Sequence, residues 1–407
     1  MMDNYNPNQS PRLLTTFRAA DLEAVFGLIH AGQSVEIIGV GSVGKSNFVR
    51  HLIRQDVLDT FLHQRYQEKA KIVFVGLDAN SLLEPLPSAF NPHQPSGWSG
   101  YELLASRLLR AVVEQGILDH LPPEHHAHPE ELYAMYQRLW PDDKASVNII
   151  AFRYIEDMLQ RIFSAISNIR FVVIFDEFEK FIRELPPRFF QTLRSLRDQF
   201  KDRLMYIITA RQIMPLLIQT RLYDEYEPFI ELFARHYLLP YRPSDTEQTF
   251  RRLSIRRDLP PPPLEMREQL MAVTGGHAGL LRASFSAWAP LKVIHPQMSD
   301  EEMIRTLLQI NEIQEECKTI WRSLSQDECQ ILFDMVRAQQ RNQPIEVSPY
   351  RPMAQLLIQK GLLLQTEQMT FANIRPPLFA AFLYASIRPE TPSISDVEMN
   401  KNPNVIL

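Results

Sequence analysis

Eight consecutive residues constrain this chain more than any other feature. Gly39-Val40-Gly41-Ser42-Val43-Gly44-Lys45-Ser46 fits the pattern G-x-x-x-x-G-K-[S/T] at every position. The run Ser34–Ile38 before it reads as a short strand and Asn47–Gln55 after it as a helix, the context a phosphate-binding turn requires. The glycines let the backbone curl until successive N–H groups point at phosphate oxygens. Lys45 adds a point charge for the β- and γ-phosphates, and the Ser46 hydroxyl is placed to ligate Mg²⁺. Glycine is scarce, 13 among 407 residues, which leaves little room for a chance match. The expected nucleotide-binding residues are Gly39, Val40, Gly41, Ser42, Val43, Gly44, Lys45, Ser46 and Asn47.

Four more apolar runs have strand character: Lys71–Leu77, Phe171–Phe175, Leu204–Thr209 and His236–Leu239. With Ser34–Ile38 they predict an α/β fold, a doubly wound parallel sheet of P-loop NTPase type. Asp176-Glu177 follows Phe171–Phe175, so the pair falls at the carboxyl end of its strand, where such sheets bind ligands. Asp176 is expected to hold the metal through water, and Glu177 to orient and deprotonate the attacking water. By itself such a pair also suits a helix N-terminus; beside a phosphate turn the catalytic reading prevails. Arg211, after Thr209-Ala210, is placed to read the γ-phosphate.

The expected organisation is a flexible arm (1–12), a P-loop domain (13–243), a helical lid domain (244–300), a winged-helix domain (301–388) and a disordered tail (389–407). An insertion at about 79–150 interrupts the P-loop domain, with helices expected near 101–117 and 130–140. Helical periodicity marks 19–31, a basic helix 187–201, a helix over 244–256 with Ser244 as N-cap, and helical residues over 264–289. Leu362–Phe371 reads as a hairpin behind helices, hence the winged-helix expectation.

Net charge is −5, so no global positive field invites nucleic acid or an anionic membrane. Cys317 and Cys329 are too few for a disulfide scaffold or a cysteine-based zinc site. No apolar stretch reaches the ~18 residues of a membrane span, so the expected location is the cytoplasm, with no membrane partner. The candidate recognition helix, about 350–360, offers only Arg351 and Lys360 as cations. That is a poor footprint for DNA and suits packing against protein. His120, His125, His126 and His128 read as a polar surface loop rather than a zinc site.

The ordered set GVGSVGKS, FVVIFDEFEK, IITAR, HYLLPY and TGGHAGLLR resembles the STAND class of AAA+-related signal-transduction ATPases, over about residues 15–388. The resemblance implies ATP and ADP as ligands, with Lys45 and Ser46 on phosphate and Mg²⁺. It also implies Asp176 on the metal, Glu177 on the water, Arg211 as sensor, and Gly276 in a turn that closes over the nucleotide. Relatives usually carry a proline two positions after the glycine pair; Ala278 stands there. Many eukaryotic relatives also hold ADP with a winged-helix histidine, and this chain has no histidine after His295.

The expected function is therefore a slow ATPase switch that cycles between ADP and ATP states to regulate a protein partner or assembly, with nucleotide-dependent homo-oligomers an option. Two alternatives stand beside it: a DNA-binding AAA+ ATPase of origin-recognition type, with DNA the less favoured partner, and a scaffold that holds nucleotide without hydrolysing it.

Overall fold

Continuous apolar runs become the strands of one parallel sheet in the computed structural model, which describes residues 12–82, 97–117, 147–218, 222–289, 291–341, 351–364 and 373–387. The strands are β1 (Ser34–Ile38), β2 (Lys71–Asp78), β3 (Ile169–Asp176), β4 (Leu204–Ala210) and β5 (Phe233–Tyr237), in the order β2-β3-β4-β1-β5. Every residue of β1 and β4 is buried, as central parallel strands covered on both faces require. The fold class is the expected α/β one, a five-stranded parallel sheet followed by helices. β5 begins three residues before the expected run. It is an edge strand of partly exposed residues, so continuous burial leaves little trace of it in the sequence.

The helices described below are α1 (Ala19–His30), α2 (Lys45–Leu52), α3 (Trp98–Glu114), α4 (Val147–Ala165), α5 (Phe178–Glu184), α6 (Pro187–Phe200) and α7 (Tyr223–Ile230). They continue with α8 (Pro243–Arg256), α9 (Leu264–Thr274), α10 (Ala278–Trp288), α11 (Asp300–Leu307) and α12 (Asn311–Trp321). The last are α13 (Gln326–Gln340), α14 (Arg351–Gln359) and α15 (Pro377–Ser386). The expected helix at 130–140 and the histidine-rich loop lie outside the described residues.

The chain divides into two compact units. One comprises Leu22–Ile38 and Leu52–His236. Its core joins the inner residues of the sheet to α3, α4, α5, α6 and α7, through a network of rings that includes Phe175, Phe178, Phe190, Tyr206 and Phe229. Ring pairs in edge or tilted geometry add to the area they bury, and they fix the end of β3 on which Asp176 stands.

The other unit comprises the described residues within Met1–Asp21, Gly39–His51 and Tyr237–Leu407. The helix after residue 242 starts at Pro243, with Arg242 rather than Ser244 in the capping position. Proline suits the first helical position, and the Asp245 carboxylate caps the turn by accepting from Arg242 N at 3.2 Å. The helical stretch 264–289 is broken into α9 and α10 at Gly275-Gly276-His277, where both glycines have positive φ.

β6 (Leu363–Leu364) and β7 (Asn373–Ile374) pair antiparallel between α14 and α15. Lys360 corrects an expectation. Instead of offering its charge on a surface, its ammonium is fully buried, 2.6 Å from the equally buried Glu328 carboxylate. Glu328 also accepts from Ser325 N at 2.8 Å, so the pair ties the start of α13 to the end of α14. Cys317 and Cys329 are buried thiols, both pushed up to about 12 by desolvation, and neither is set up as a nucleophile.

Candidate functional site

In the sheet unit, β1 pairs with β4 and β4 with β3, all parallel, so their carboxyl ends share one edge. Thr209 pairs with Ile37 and Ile208 with Phe175 across this edge, which puts Asp176 beside Thr209. The Thr209 hydroxyl donates to Asp176 Oδ1 at 2.5 Å. The Thr209 hydroxyl oxygen in turn accepts from Glu177 N at 3.0 Å, and Glu177 N also reaches Asp176 Oδ1 at 3.2 Å. The threonine therefore orients the acid and the turn behind it. The sequence marks it only as a neighbour of Arg211 at the end of a strand.

Glu177 caps α5 with φ 56° and ψ 56°, a left-handed conformation that costs a non-glycine residue about 1 kcal/mol or more. Its carboxylate pairs with Lys180. Arg211 is exposed, and its backbone N–H donates to Glu179. Gly39 follows Ile38, the last residue of β1, directly in the chain.

The loop and its surroundings belong to the other unit. Lys45, the first residue of α2, donates its ammonium to Gly39 O at 2.6 Å and Val40 O at 3.1 Å. Ser46 and Asn47 occupy the first turn of α2, whose N-terminal amides and dipole favour an anion. Ser42 has φ 56° and Gly44 φ 104°, the curled backbone expected of a phosphate turn. Gly41 is required by a different neighbour than sequence suggested. A Cβ there would collide with the carbonyl of Thr319, so α12 lies directly against the loop. Gly276, expected over the nucleotide, accepts from Tyr241 N at 2.9 Å, and a Cβ on it would strike the Tyr241 carbonyl.

Two residues that sequence reasoning missed touch the loop. His277 is fully buried, and its Nε2 lies 2.9 Å from Gly41 O while Nδ1 accepts from Leu280 N at 3.4 Å. Its pKa falls to about 4, first through desolvation, then through the charges of Lys45, Arg18 and Arg282, against the opposing bond to Gly41. Arg18 donates to Val43 O at 3.0 Å and Leu239 O at 2.9 Å, and stacks over the Tyr241 ring at 4.6 Å. Near them, Glu316 of α12 accepts from Arg282 at 2.6 Å.

The loop suits a nucleotide phosphate: it offers the cradle, and Ser46 carries a hydroxyl of the kind Mg²⁺ takes beside phosphates and water. No group of three or more His, Cys, Asp or Glu side chains suited to a metal is found among the described residues. No helix among them is long and apolar enough to cross a membrane.

No protein-family model matches the chain, and no curated protein matches it. Among solved structures it is similar to the ORC2 protein of Aeropyrum pernix, at 14% identity and a TM-score of 0.48, over 93% of this chain and 95% of that one. A Walker-type ATPase of Pyrococcus abyssi follows at 16% identity and 0.47, over 90% and 95% of the two chains. The RuvB Holliday junction branch migration motor of Thermotoga maritima gives 11% and 0.38, over 89% and 95%. At these identities the likeness assigns no activity to this chain.

Proposed function

We propose that the chain is an AAA+-related ATPase that binds ATP or ADP with Mg²⁺ at residues 39–47 and hydrolyses ATP slowly. One observation carries the reading: the complete phosphate loop, curled at Ser42 and Gly44, follows β1 directly in the chain, and within the sheet unit Thr209 orients Asp176 and Glu177. Lys45 and the α2 amides bind the phosphates, Ser46 and Asp176 serve the metal, and Glu177 acts as base once freed from Lys180. Arg211 is assigned to γ-phosphate sensing. The test is a Mg²⁺-dependent ATPase assay. Lys45→Ala is expected to lose nucleotide binding, while Glu177→Gln keeps binding and stops turnover. Unchanged turnover in Glu177→Gln would remove Glu177 as the base.

Two finer readings share this core. The solved structures named above include an ORC2 protein and a Holliday junction branch migration motor, and an Aeropyrum pernix ORC1 in complex with DNA is similar at 10% identity and a TM-score of 0.36. They stand nearer to a DNA-engaging ATPase than to a STAND-like switch of a protein partner. The helices and short hairpin after residue 300 are assigned as the winged-helix module in either reading. Titration of duplex DNA against salt separates them. Binding with a steep salt slope supports the first, and no binding at low salt leaves the protein-directed switch.

A further inference from the structure

The outer side of the phosphate loop is held by donors that belong to none of its residues. Three consecutive carbonyls each accept a hydrogen bond: Gly41 O from His277 Nε2 at 2.9 Å, Ser42 O from Gly279 N at 3.1 Å, and Val43 O from Arg18 Nη2 at 3.0 Å. A trans peptide is planar, so its C=O and N–H point in opposite directions. Turning the Gly41 and Val43 carbonyls outward turns the N–H groups of Ser42 and Gly44 inward, the direction a phosphate requires.

The donors are themselves fixed. Gly41 O can only accept and Leu280 N can only donate, so together they select the neutral His277 tautomer with its proton on Nε2. Arg18 is anchored by Asp21 at 3.0 Å and Leu239 O at 2.9 Å, and its own N–H is held by Asp245 at 2.7 Å.

We infer that His277 is a positioning residue for the phosphate loop, joining the start of α10 to Gly41 and presenting the loop amides to nucleotide phosphate, with Arg18 and Gly279 completing the hold. This rests on the reading of residues 39–47 as a nucleotide site. The amide side chains separate the two bonds of the imidazole. Asparagine reproduces Nδ1 and can still cap α10, but it is too short to reach Gly41. Glutamine reaches as far as Nε2 and can donate there.

The test measures Mg-ATP and Mg-ADP affinity by calorimetry, and hydrogen exchange of the 41–46 amides without nucleotide, in full-length protein. His277→Asn is expected to speed exchange of these amides and to weaken both affinities about tenfold, the effect of one lost buried hydrogen bond. His277→Gln is expected to restore most of both. Wild-type exchange and affinity in His277→Asn would overturn the inference, as would His277→Gln behaving no better than His277→Asn. Should His277→Asn fail to fold, His277→Met keeps the volume without the donor and is compared with His277→Gln in the same measurements. Wild type and Lys45→Ala isolate the underlying reading. If wild type binds no nucleotide, the site assignment falls and takes the role of His277 with it, even where exchange responds. If wild type binds and Lys45→Ala does not, the His277 variants test the inference alone.

Discussion

The Thr209 hydroxyl and the Asp176 carboxylate share a 2.5 Å hydrogen bond, with the proton donated to an oxygen that also receives the Glu177 N–H. One small side chain thus sets the rotamer of the acid assigned to the metal and fixes the turn that carries the acid assigned to the water.

Thr209→Val keeps the shape of a fully buried side chain and removes this bond. Thermal or chemical unfolding is expected to show a loss of about 1–3 kcal/mol, from a half-buried carboxylate oxygen that loses one of its two donors. The Mg²⁺ concentration for half-maximal turnover should rise severalfold, with Thr209→Ser restoring it. Equal Mg²⁺ dependence in wild type and Thr209→Val would refute the orienting role.

Glu177 combines a strained backbone with an assigned role in the chemistry. Glycine adopts its left-handed conformation without strain. Glu177→Gly should therefore hold or raise stability, by about 1 kcal/mol, while turnover drops a hundredfold or more. The partly exposed partner Lys180 contributes little to the balance. Loss of stability together with activity would show that the carboxylate mainly supports the fold.

His277 makes the protein acid-sensitive in a defined window. Its folded pKa of about 4 lies below the ordinary 6.5, so the unfolded chain takes up the proton first as pH falls. The stability tied to the neutral ring is whole above pH 6.5 and is lost progressively toward pH 4, by about 3 kcal/mol in all. Urea unfolding at pH 7, 6 and 5 should show this slope in wild type and a shallower one in His277→Gln.

Lys360 and Glu328 form a buried pair, and breaking one side is expected to cost about 3–5 kcal/mol. Lys360→Met should show this loss in unfolding experiments, and adding Glu328→Gln should recover most of it. The neutral amide still accepts from Ser325 N–H, whereas a lone buried carboxylate is left uncompensated. Because Lys360 is fully buried, the folded Lys360→Met protein should bind duplex DNA no differently from wild type.

The strands that build the sheet interior were legible because burial on both faces leaves continuous apolar runs. The edge strand Phe233–Tyr237 lacks that pressure, and its position was misread. Loop and acid pair were legible because their chemistry restricts residue types at fixed spacing. The supports of the loop were not. His277 meets a carbonyl 236 residues away and Arg18 one 25 residues away, and a carbonyl belongs to every residue alike. Ala278 drew attention as a departure from a familiar motif, while its neighbour His277 makes the bond. Lys360 was misread because a lysine on an amphipathic helix usually reaches water; only the position of Glu328 on another helix reverses that.

The grouping of Gly39–His51 with the residues beyond Tyr237 bears on how the molecule can be dissected. A fragment ending at residue 243 would contain the whole parallel sheet, the loop and both acids, and would pass inspection as an autonomous catalytic piece. It would lack His277, Gly279 and Thr319, against which the outer wall of the loop rests. Excision would thus leave the signature of nucleotide binding intact in letters while removing the scaffolding that gives those letters their shape.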